Sequence, residues 1–143
     1  MIRFRHAFGA IAAVLVVHVI ALSFDLYHTV GWFDVLMHFF GGYAIALLAL
    51  AVYGWLGERL EIKPRQHPQS ALSITLLQLV FVAGFVMLVG VAWEWYEFLF
   101  DQFATNIVAK FGVAQMGLPD TMDDLLNDLV GALTAWVLWR KST

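Results

Sequence analysis

The chain has 143 residues, 62% hydrophobic and only 13% charged, with a net charge of −3 and a mean hydropathy of +0.78. Soluble domains carry roughly a quarter charged residues, so an ordinary soluble enzyme is excluded. Eight Lys and Arg without a basic run exclude a nucleic-acid-binding surface, and the lack of Cys excludes disulfides and thiolate metal sites.

Four apolar blocks are each long enough to cross about 30 Å of hydrocarbon at about 1.5 Å per residue. The predicted fold is therefore all-α, a four-helix transmembrane bundle forming one domain over residues 1–143, with helices at about 7–24, 35–56, 71–100 and 121–139. Arg3 and Arg5 ahead of the first block resemble the start of a secretory signal peptide. The apolar run there is about 18 residues, longer than a signal core, so it is expected to be retained as a membrane helix. After the second block, the charges and prolines of Gly57 to Pro68 form a loop. Between the third and fourth blocks, Ile107, Val108, Phe111 and Val113 are suited to a short amphipathic stretch on the interface. Pro119, Asp120 and Thr121 signal the start of the last helix.

Basic residues set the orientation, because they stay cytoplasmic. Arg3 and Arg5, then Arg59, Lys63 and Arg65, then Arg140 and Lys141 fall in three regions that four spans put on one side; only Lys110 lies opposite. Both termini are expected in the cytoplasm of a multi-pass cell-membrane protein. The lipid bilayer is the expected partner, and a homo-oligomer is compatible with the sequence.

Nine of the eleven acids then map to the outer helix ends. Asp34 and His38 are four apart and share a helix face, as do Glu94 and Glu97 at three apart. Asp120, Asp124 and Asp128 repeat every four residues, with Asn127 beside them. One carboxylate at such depth costs at least about 2.5 kcal/mol, and no Lys or Arg of the last three helices lies near enough to neutralise several. Protons or a metal must supply the positive charge. His38, Glu94, Glu97, Asp124 and Asp128 are the expected ligands of a divalent metal ion, with Asp34, Asn127 and Asp120 behind them. Imidazole with carboxylates suits Zn, Mn or Fe; carboxylates alone suit Mg or Ca.

Asp25, Asp101 and Asp120 are expected as helix-end or cap residues in water. His18 is expected to make one internal hydrogen bond. Trp93, Trp95 and Tyr96 are expected in the aromatic belt. Gly42 and Gly131, each four residues before an alanine, are expected where the second and fourth helices pack closely.

Asp34-x-x-x-His38-Phe39, Trp93-Glu94-x-x-Glu97 and Asp120-x-x-x-Asp124-x-x-x-Asp128-x-x-Gly131 resemble motifs of the VanZ-like and YjdF-like small bacterial membrane proteins, over about residues 33–133. In the VanZ-like pattern an Asp precedes an Asn by four and a Gly by seven; Asp124 and Gly131 match, and Asp128 replaces the Asn. The paired glutamates of the YjdF-like pattern match Glu94 and Glu97. The chain lacks the Arg that follows the VanZ-like helix-3 Glu, so the YjdF-like side is closer. The resemblance implies four helices and a site of this composition, and the association of VanZ-like proteins with glycopeptide tolerance points to the envelope.

Three functions fit this pattern. The first is a metal-dependent hydrolase acting on a lipid or an envelope precursor through metal-activated water. The second is a transporter or proton relay with titrating carboxylates. The third is a non-catalytic membrane partner stabilised by a cation. Whether the protein is an enzyme stays open at the level of sequence.

Overall fold

A computed structural model describes residues 3–60 and 68–140, the side chains of 68–71 and 109–111 excepted. The described chain is helical with no strand: α1 (Phe4–Ser23), α2 (Leu26–Thr29), α3 (Phe33–Arg59), α4 (Pro68–Phe103), α5 (Thr105–Phe111) and α6 (Leu118–Trp139). Most of the expected loop, including Lys63, Arg65 and His67, lies outside the described residues, as does Lys141.

α1, α3 and α4 are long and apolar enough to cross a membrane. α3 and α4 reach past both ends that hydropathy marks, and α1 begins earlier than expected, at Phe4. Hydropathy tracks the hydrocarbon boundary, whereas a helix continues into the headgroup region while its backbone can still bond to itself. α6 begins at Leu118, earlier than expected, with Gly117 as its N-cap and Asp120 in its first turn. The stretch expected to be amphipathic forms α5.

α3 and α6 are the most extensively packed pair, and α1 and α4 lean on this spine. Small residues make that possible. A Cβ on Gly42 would collide with the backbone carbonyl of Asp128, and one on Gly131 with the carbonyl of Phe39. Ala46, Ala49 and Leu50 of α3, Val82 and Val86 of α4, and Ala132 and Ala135 of α6 fill the adjoining core. The indole of Trp136 donates to Gln78 Oε1 at 3.1 Å, which satisfies two buried polar groups at once. The expectation for Gly42 and Gly131 thus holds, and the same close approach brings the acids of α6 against His38.

Candidate functional site

His38 is buried about 8 Å along α3, and Asp128 about 15 Å along α6. Around the His38 ring stand three carboxylates. Nε2 lies 3.7 Å from Asp34 Oδ1 and 3.6 Å from Asp124 Oδ1, while Nδ1 lies 3.4 Å from Asp128 Oδ1. Both ring nitrogens therefore face acceptors. A neutral imidazole has one N–H and can satisfy only one side, so the other side needs a second proton or a metal ion. Among the described residues, His38 alone pairs with these carboxylates.

The Nε2 distances are long for hydrogen bonds. They come close to the edge of about 3.4 Å that two ligands make when each lies about 2.1 Å from one tetrahedral ion. One ligand atom each from Asp34, His38 and Asp124 fall within 4.8 Å of one another. Asp128 sits in a cradle of glycines: a Cβ on Gly90 would lie 2.5 Å from its Oδ2, and one on Gly41 would lie 3.9 Å from its Oδ1.

The other acids have different partners. Thr121 Oγ1 donates to Glu94 Oε2 at 2.7 Å, and Gln115 Nε2 reaches the same oxygen at 3.4 Å. Glu94 Oε1 is buried and accepts no hydrogen bond from the described residues. Trp93 Nε1 donates to Glu97 Oε1 at 2.8 Å. Asn127 donates to the Asp123 carbonyl within its own helix, and Asp120 accepts from the Met116 amide. Asp101 differs from the expected cap: its two oxygens accept the amides of Ala114 and Gln115 at 2.8 and 2.9 Å, pinning the loop before α6. Asp25, with φ of 54°, is the N-cap of α2 but makes no side-chain cap bond; its carboxylate faces His28 Nδ1 at 2.7 Å instead. His18 makes its expected single bond, to the Tyr27 hydroxyl at 2.6 Å.

Two cavities adjoin the cluster. The inner one, of about 150 Å³, lies between α1, α3 and α4 and is bounded by Asp34, His38, Glu97 and Asp128. The outer one, of about 530 Å³, opens toward the loop at 112–116. His18, Tyr27, Asp34, Trp93 and Glu97 line both, so the two are adjacent.

Compared with known proteins, the chain matches the family described as predicted membrane protein (DUF2238) over residues 4–142. It belongs to this family. No curated protein and no solved structure matches it. This DUF2238 protein is a multi-pass membrane protein whose apolar helices associate it with lipid.

Sequence reasoning missed Thr121 and Gln115, the partners of Glu94, because their approach depends on how the DUF2238 chain folds back after α5. It also put Trp93 in the aromatic belt, whereas the indole lines both cavities. The four-residue spacing of Trp93 and Glu97 was the available signal.

At the rim, Gly112 has φ of 90°, and a Cβ there would meet the His28 ring at 2.6 Å, so only glycine lets the loop lie on that imidazole. His28 Nε2 faces the Val113 carbonyl at 3.3 Å while Nδ1 faces Asp25, an arrangement that suits the doubly protonated ring. The Asp25 bond raises the His28 pKa above its ordinary value. A raised folded value gives stability that is complete below about pH 6.5 and is lost as pH rises through that folded value. The melting temperature is therefore expected to fall more between pH 6 and 9 in the parent than in His28→Gln. Parallel curves would remove His28 from the account.

Proposed function

We propose that this protein is a four-span bundle, with both termini cytoplasmic, that holds a divalent cation near its outer end. Asp34, His38 through Nε2, and Asp124 are the ligands. Asp128 accepts from Nδ1–H, the usual means of fixing a metal-bound imidazole. These roles exchange the sequence-based places of Asp34 and Asp128 and leave Glu94 and Glu97 as neighbours of the ion. The observation that carries the reading is a buried imidazole with carboxylates on both nitrogens and, among the described residues, no Lys or Arg paired to them. The donor set favours Zn, Mn or Fe over Mg or Ca.

The fourth span is α6. Its acids Asp124 and Asp128 are buried, while Leu126, Val130, Leu133 and Val137 are exposed, an apolar face that hydrocarbon would cover. Arg3, Arg5, Arg59 and Arg140 then share the cytoplasmic side. Reporter fusions after Arg59 and at the C-terminus should both read cytoplasmic; a periplasmic signal from either overturns this topology.

A bound divalent ion would supply Lewis-acid polarisation and activation of water, which suits hydrolysis of a lipid or envelope substrate. The likeness to VanZ-like and YjdF-like motifs supports an envelope setting. Glu94 is the spare carboxylate, with Oε1 open to accept a proton. That same oxygen favours a second reading, in which Glu94 is protonated and the cluster relays protons. Against it, no Asp, Glu, His, Lys or Arg occurs at 39–57 of α3, 72–93 of α4 or 129–139 of α6. Metal removal separates the two: chelator lowers the melting temperature of a cation-bound bundle and leaves a proton-bound one unchanged.

A further inference from the structure

The outer cavity has a chemistry that the divalent site does not use. Glu97 and Asp34 stand in its walls, and no Lys or Arg lines it among the described residues. The charge of His28 is met by Asp25. Glu97 is not among the ligands proposed for the divalent ion, so its carboxyl group stays available in the cavity wall. An anionic headgroup would meet a carboxyl group there with no Lys or Arg among the described residues lining the cavity to offset it.

One side of the cavity is a continuous run of rings, while Val19, Leu22, Ile107 and Met116 also stand in its wall. The Tyr27 and His18 rings are 5.6 Å apart, His18 and Trp93 5.4 Å, and Trp93 and Tyr96 5.3 Å. Ring faces attract a cation within about 6 Å, most strongly where water is excluded. The Trp93 indole also fixes the Glu97 carboxylate by its hydrogen bond, so ring and counter-charge are held together. Aromatic faces beside a carboxylate recognise a soft, weakly hydrated cation rather than a hard one.

We propose that this vestibule binds an organic ammonium group, with Glu97 as counter-charge and the rings of Tyr27, Trp93 and Tyr96 as its walls. The ammonium arrives either as a free molecule or as the head of a membrane amphiphile. Binding does not require the divalent ion, because Glu97 is not among the ligands proposed for it.

Trp93 makes the site visible by intrinsic fluorescence in dodecyl maltoside micelles. Tetramethylammonium and dodecyltrimethylammonium are titrated against sodium and dodecyl sulfate at matched ionic strength, with and without chelator. The expected result is a saturable change with an ammonium probe that persists in chelator, whether or not the divalent site exists. Much tighter binding of the dodecyl compound assigns the site to a lipid head, and similar affinities assign it to a free ammonium; both support the proposal. Glu97→Gln should weaken binding about tenfold. Tyr96→Leu, at an exposed position, should weaken it several-fold. The proposal is overturned if neither ammonium saturates or if dodecyl sulfate gives the same change. It is also overturned if chelator abolishes the signal, or if both variants bind like the parent.

Discussion

Gly131→Leu and Gly42→Leu are expected to prevent the bundle from assembling, and Gly131→Ala alone to cost about 3 kcal/mol. The obstacle in each case is backbone, which no side-chain rotation can relieve. A Cβ on Gly131 runs into the Phe39 carbonyl and also lies 2.9 Å from the Tyr43 nitrogen; one on Gly42 runs into the Asp128 carbonyl. Relief would require α3 and α6 to separate along their main contact. Gly84 provides the control, since a Cβ there meets nothing within 4 Å. Gly84→Ala should melt at the parent temperature or slightly above it, by virtue of the better helix former. Thermal melts in detergent check the set, and a Gly131→Ala protein as stable as Gly84→Ala would show that the helices do not meet there.

The second large effect concerns the cation. An ion that binds only the folded chain adds about 2.7 kcal/mol at a hundred times its dissociation constant. Chelator should therefore lower the melting temperature by several degrees, and added Zn or Mn should restore it. Asp34→Asn and Asp124→Asn should each remove most of that response, because each takes away a ligand facing His38 Nε2. Asp128→Asn should weaken it less, since an amide oxygen can still accept from Nδ1–H. Gly90→Ala should weaken it too, because its methyl would displace Asp128 Oδ2 at 2.5 Å. Asp101→Asn should leave the response intact, because that carboxylate holds loop amides. Equal responses from Asp124→Asn and Asp101→Asn would show that the ion binds elsewhere.

Much of this was legible in the amino-acid order. Long apolar blocks announce α1, α3 and α4, and the four-residue ladder of acids gives α6 its inward face. The glycines followed four residues later by alanine mark where α3 and α6 touch. What periodicity within one helix cannot give is the rotation of one helix against another. Asp34 belongs near His38 by spacing and Asp128 by its depth along the last helix, but which ring nitrogen each one faces depends on how α6 is turned in the Gly42–Gly131 contact. The fate of Glu94 was hidden for a different reason. Its partners Gln115 and Thr121 arrive because Asp101 gathers the amides of Ala114 and Gln115, and such a fold-back carries no periodic signature. Trp93 shows the limit of composition: an indole near a helix end fits the lipid interface by type, and only its bond to Glu97 draws it inward.

Metal content per chain, measured after equilibrium dialysis of the purified protein against micromolar Zn or Mn, tests the central claim most directly. The account predicts close to one ion bound per parent chain, and almost none when Asp34→Asn and Asp124→Asn are combined. A parent chain that binds no more metal than this double variant, while remaining folded, would contradict it.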